Sequence, residues 1–238
     1  MIGLALVVTV AFLVETVTGF GGTVVAVALA SFFMPVRDYL PAHVPVNLLL
    51  STWIVARDWR AVDRPLLFRR VLPAMVLGFP LGAWAFSGLS AHHGVLEAAF
   101  GGFVALVGAY RLAGPVAMLG PVATQCTLAA AGVVHGAFGT GGPLVVMTLS
   151  RLGLDKATFR ATLSALWIVL SGFLLALYAR EGVLGEASAR ASLVLLPGLL
   201  AGSLAGQWLH ARIDAERFRR AVDGMLLLAG LLLLGRNL

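Results

Sequence analysis

From Leu112 to Ser150 the chain carries no Asp, Glu, Lys or Arg, and the stretches 39–56, 71–96, 161–179 and 191–211 share that property. A helix needs roughly 20 apolar residues to span a bilayer. The 238 residues are 60% hydrophobic and 12% charged, with mean hydropathy +0.96. A soluble domain carries about 25% charged residues, so this chain cannot cover a water-facing surface. Barrel strands alternate apolar and polar residues over about 10 positions, and the uncharged runs here are far longer. The expected fold class is therefore all-α, a polytopic transmembrane helical bundle.

Apolar segments run over about 2–17, 22–35, 41–56, 66–87, 95–111, 116–136, 141–152, 158–179, 190–210 and 218–235. Met1–Val14 lacks the basic start of a secretory signal and reads as retained structure. Two segment junctions carry the same short pattern, Gly19-Phe20-Gly21-Gly22 and Gly139-Thr140-Gly141-Gly142. Matched glycine interruptions in the two halves of a membrane chain point to a transporter's binding site.

The repeat extends beyond the glycines. An offset of 120 pairs Glu15 with His135, Gly22 with Gly142, Ser51 with Ser171 and Arg60 with Arg180. An offset of 124 then pairs Pro73 with Pro197, Gly78 with Gly202, Gly82 with Gly206 and Trp84 with Trp208. Two transmembrane repeats are expected, 1–115 and 116–238, within one membrane domain. Gly78/Gly82 and Gly202/Gly206 are spaced for close helix packing.

The net charge of +6 resides mostly in short loops. Arg57 to Arg70, Arg111, Arg151 to Arg160 and Arg212 to Arg220 fall on one side, and Arg37, Arg180, Arg190 and Arg236 on the other. The richer side is expected to be cytoplasmic, with both termini periplasmic. Each half then holds an odd number of segments, which predicts repeats of inverted topology. No basic, aromatic-interleaved surface suggests nucleic acid.

A helix that begins inside a membrane leaves backbone N–H groups without partners, and its N-terminus carries partial positive charge. Glycine lets a ligand approach those groups. The candidate substrate-binding residues are Thr18, Gly19, Gly21, Gly22 and Thr23 in the first half, and Gly139, Thr140, Gly141 and Gly142 in the second. Asn47 and Ser51 share one helix face, as do Ser164, Trp167 and Ser171, and these could bind substrate oxygens or join helices. Glu15 and His135 are ionisable groups inside membrane segments, where such groups are functional by default. They are candidates for proton coupling or for local hydrogen bonding. Gln125 is placed near the membrane centre, and His43, between Pro41 and Pro45, reads as a helix-entry turn.

There is no phosphate-loop lysine, no HExxH and no metal-ligand spacing, so no cofactor, metal or catalytic residue is expected. Cys126, the single cysteine, reads as a small packing residue.

The motifs Thr18-Gly19-Phe20-Gly21-Gly22-Thr23, Pro35 and Arg60-Ala61-Val62-Asp63 carry a resemblance to a known family. So do Gly136-Ala137-Phe138-Gly139-Thr140-Gly141-Gly142-Pro143 and Arg180-Glu181-Gly182-Val183 in the second half. The chain resembles the sulfite exporter TauE/SafE family of small bacterial membrane transporters, over nearly its whole length. The family pattern is closer to Gly-x-Gly-Gly-Gly, and this chain has Thr23 and Pro143 at the last place. The resemblance implies transport of sulfite, organosulfonates or related anions, commonly outward.

The expectation is a secondary transporter of the bacterial inner membrane, not an enzyme, with the anion bound between the two glycine loops. A passive anion channel or uniporter, or a carrier of non-sulfur organic anions, is the alternative. The partners expected are the small anion and the bilayer, with a homodimer left open.

Overall fold

The structure, a computed structural model, describes residues 2–89, 93–114, 120–150, 152–210, 212 and 215–237. Arg151, named in the orientation argument, and the expected repeat boundary at 115/116 lie outside the described residues, as do the side chains of Arg217, Arg219 and Arg236. Among the described residues every regular element is helical. The elements are α1 (Ile2–Thr18), α2 (Gly22–Ala30), α3 (Val36–Asp58), α4 (Arg64–Leu66), α5 (Leu72–Leu89), α6 (His93–Leu112), α7 (Pro121–Phe138), α8 (Gly142–Leu149), α9 (Lys156–Arg180), α10 (Glu186–His210) and α11 (Ala215–Asn237). A π-helical turn, Leu67–Val71, joins α4 to α5.

Among the described residues, four stretches are long and apolar enough to cross a membrane: Val36–Ala61, Arg64–Gly88, Lys156–Arg180 and Glu186–Leu209. Their outer faces are apolar, with Leu77 81% and Leu204 67% exposed. Trp84 and Trp208, paired in the repeat, are both exposed. Amphipathic rings of this kind suit the membrane interface.

The elements start and stop for local reasons. Asp155 caps α9 by accepting the N–H groups of Ala157 and Thr158, each at 3.0 Å. Asp63 does the same for α4, accepting from Leu66 N–H at 2.9 Å. Pro121 opens α7 at the first helical position, where a missing N–H costs nothing.

Three local expectations are corrected. His43 is no entry turn, because α3 begins at Val36 and carries Pro41 and Pro45 in its interior. Each proline removes one ladder bond, and full burial of His43 and its neighbours holds the helix together across them. Gln125 is not at mid-span but in the first turns of α7. Cys126 is exposed rather than packed, because the early turns of α7 turn much of their surface outward.

The chain forms two compact units. One comprises Met1–Leu40, Gly88–Val116 and Leu193–Leu238, and the other Pro41–Ser87 and Ala117–Ser192. Each draws segments from both expected repeats. In the first unit α1 packs on α2, and α6 on α11. There Gly202 of α10 faces the Thr9 carbonyl of α1, and Gly206 faces that of Leu13. In the second unit α7 packs on α8, and Gly78 and Gly82 of α5 face the carbonyls of Ala129 and Val133 of α7. Ala129 and Val133 follow Thr9 and Leu13 by the same 120 residues that relate the glycine motifs. Equivalent elements therefore make equivalent contacts, with partners drawn from opposite halves of the sequence.

Candidate functional site

The first glycine break lies in the first unit. Gly19 closes α1 by donating its N–H to the Glu15 carbonyl at 2.7 Å. Thr18 holds the turn that follows. Its oxygen accepts the Phe20 N–H at 3.2 Å, and its hydrogen serves the carbonyls of Phe20 at 2.5 Å and Val14 at 2.8 Å. That hydroxyl is engaged by the loop itself. Gly21 caps α2 at φ 84, a left-handed conformation that side chains with a Cβ seldom adopt.

Gly22 starts α2, and a side chain there would strike both the Ala11 carbonyl and the Glu15 side chain. The buried carboxyl of Glu15 thus stands against the N-terminus of α2, the end that attracts negative charge. Thr23 is buried in the same turn.

The second break lies in the second unit. Gly139 ends α7 at φ 66 and donates its N–H to the His135 carbonyl at 2.8 Å. Two residues on, the Gly141 N–H donates to Nδ1 of His135 at 3.3 Å. A ring nitrogen that accepts carries no hydrogen, so neutral His135 holds its hydrogen on Nε2. That Nε2 is buried and has no hydrogen-bond partner among the described residues.

The His135 ring stacks on Trp167 with centroids 5.6 Å apart and 5° between planes, and Phe79 lies 6.4 Å away. A side chain at Gly141 would strike the Ala131 carbonyl. Glycine, imidazole and indole therefore form one packed cluster at the start of α8. Thr140, beside it, is buried.

A family model described as sulfite exporter TauE/SafE matches residues 4–233. The chain belongs to the sulfite exporter TauE/SafE family. Searches among curated proteins and among solved structures returned no match. Both glycine breaks fall within the matched span, and TauE/SafE is a transporter family rather than an enzyme family. Membership supports membrane transport of a small anion by an embedded chain.

The remaining residues expected in this TauE/SafE site are buried on their helices. Ser164, Trp167 and Ser171 share the buried face of α9, and Asn47 and Ser51 that of α3. Ser51 donates to Asn47 Oδ1 at 3.3 Å, a long and therefore weak bond. Glu15 belongs to one compact unit and His135 to the other.

A cavity of about 410 Å³ in the second unit is lined by Leu66, Arg70, Thr124, Gln125, Thr148 and Leu149 among others. The glycine break does not line it. Sequence reasoning on this TauE/SafE chain missed one charged group of consequence. Arg111, expected in a loop, is largely covered at the end of α6 and pairs with Asp223 on α11 at 2.5 Å. The available signal was Asp223 itself, an acid inside an otherwise apolar segment.

Proposed function

We propose that this protein is a secondary transporter that carries a small sulfur oxyanion, sulfite or an organosulfonate, out across the bacterial inner membrane. The observation that carries the reading is His135 at the second glycine break. Gly141 N–H occupies Nδ1, so among the described residues a buried Nε2–H donor stands without an acceptor. A buried donor left unbonded costs about 1–3 kcal/mol. An anionic oxygen arriving there recovers that cost and gains a charge-assisted bond. The backbone N–H of Gly142 adds a donor at the start of α8, and those of Gly21 and Gly22 make an equivalent place for an anion at the start of α2. Thr23 adds a hydroxyl at the first break and Thr140 at the second, Thr18, Gly19 and Gly139 shape the two turns, and Asn47, Ser51, Ser164, Trp167 and Ser171 supply polar groups on α3 and α9.

Glu15 and His135 couple the anion to protons in this reading. Glu15 places negative charge against the N-terminus of α2, so its protonation favours an anion there. His135 can accept a second proton only at Nδ1, which displaces the Gly141 N–H. Proton uptake and loop geometry are then linked. The repeats have inverted topology, and both termini face the periplasm.

The test is sulfite and sulfonate flux into proteoliposomes of purified protein, with and without an imposed pH gradient. Saturable flux that follows the gradient is expected. Rapid flux indifferent to the gradient would identify a channel or uniporter. Absence of flux for every sulfur oxyanion would overturn the substrate assignment and direct the search to carboxylates.

A further inference from the structure

We infer that Arg111 is the counter-charge for the transported anion at the first glycine break, an assignment that rests on the anion-transport reading above. The Arg111 side chain is only 10% exposed, and its Nε donates to Oδ1 of the fully buried Asp223 at 2.5 Å. Its guanidinium carbon lies 5.0 Å from the ring centre of Phe20, a residue of the break itself. A guanidinium has five N–H donors. Among the described residues, Nε is the one nitrogen of Arg111 seen bonded, and the face of Phe20 is its other contact.

Arg–carboxylate pairs that join elements are frequently bidentate, with the fork on both carboxylate oxygens. Here the Asp contact uses Nε, and among the described residues the terminal nitrogens have no hydrogen bond and are not sealed in the interior, so they stand open to a ligand. The tetrahedral face of a sulfite or sulfonate offers adjacent oxygens at the spacing a guanidinium fork engages. Phe20 is pinned through Thr18, so the cation is held beside a fixed turn. Asp223 keeps Arg111 neutralised while no anion is bound.

The experiment measures the KM of sulfite flux in proteoliposomes and the sulfite-induced Tm shift in detergent. The variants are R111K and the double variant R111Q/D223N. The double variant removes both charges of the pair at once, so a merely structural pair predicts ordinary KM and an ordinary sulfite shift. A substrate counter-charge predicts loss of saturation and of the shift. R111K keeps an ion pair to Asp223 but loses the fork, and KM is expected to rise tenfold or more with the ligand-free Tm maintained.

A wild-type KM in R111K overturns the assignment even if the double variant does not fold, as does a wild-type KM in the double variant. If neither sulfite nor methanesulfonate gives saturable flux in the wild type, the transport reading falls and this assignment with it. If the wild type saturates and both variants match it, this assignment alone falls.

Discussion

Gly82 on α5 and Val133 on α7 lie so close that a methyl group on the glycine would meet the valine carbonyl. The contact is backbone to backbone, and neither side has a flexible end that can swing away. In a bilayer, where lipid tails compete with apolar side chains, such close approach is a main source of helix association.

Gly82→Ala is therefore expected to lower stability by about 1–3 kcal/mol, the usual cost of overpacking. Gly206→Ala, which meets Thr16 Cβ at 2.8 Å and the Leu13 carbonyl at 2.9 Å, should fall in the same direction. Gly172→Ala on α9 meets nothing within 4 Å and should be neutral or stabilising by up to about 1 kcal/mol. Thermal unfolding in detergent compares the three, and equal Tm values would remove the packing argument.

At the first break, Gly21→Ala forces a side chain into a left-handed backbone and is expected to cost about 1–2 kcal/mol. Gly22→Ala meets the Glu15 side chain and Ala11 carbonyl at 2.5 Å and should abolish flux at normal expression. Wild-type transport in Gly22→Ala would exclude the break as a site.

His135→Ala removes the Nε2–H donor together with the acceptor for Gly141. A hydrogen bond to a charged group contributes about 1.5–3 kcal/mol, and each 1.4 kcal/mol is tenfold. Sulfite KM should rise roughly tenfold to a hundredfold. Trp167→Phe keeps an aromatic face for the imidazole and should change KM far less. A larger effect from Trp167→Phe than from His135→Ala would make the stack, not the donor, the important element.

Coupling is read from Glu15→Gln. The amide keeps the volume beneath Gly22 and loses the proton site. Flux should persist down a sulfite gradient and lose its response to an imposed pH gradient. An unchanged response would free Glu15 of any coupling role.

Asp155 gives an acid-side prediction. The Thr158 hydroxyl and N–H, with the Ala157 N–H, bond its carboxylate and hold its pKa below the usual carboxyl range. A depressed folded value means the contribution is present above the unfolded value of about 3.9 and fades as pH falls through the folded one. Asp155→Ala should lower Tm near neutral pH and leave a smaller Tm difference from wild type in strong acid. A difference constant with pH would contradict the capping account.

The helical segments and the glycine breaks between them were legible because glycine and uncharged length have few substitutes in a membrane. Gly78, Gly82, Gly202 and Gly206 announced packing faces, and packing faces they are. What they packed against was not legible, since Thr9 and Ala129 carry no mark of their partners. Arg111 was assigned to a loop by its flanks alone. Its covered position depends on Asp223, 112 residues away, and only folding brings the two together. His135 was visible as an intramembrane imidazole, but the tautomer that makes Nε2 a donor is set by a backbone N–H six residues on. Pro41 and Pro45 misled because local rules end helices at proline, and burial overrode them.

The interleaving of chain segments sets an order of assembly during synthesis. The unit formed by Pro41–Ser87 and Ala117–Ser192 has all its parts once residue 192 has emerged, whereas α1 must wait for α10 and α6 for α11, both in Leu193–Leu238. Contacts of such long sequence separation form late. Helix α1, with Glu15 and the first glycine turn, thus stays unenclosed until α10 has followed it, and until then the insertion machinery or lipid must shelter it.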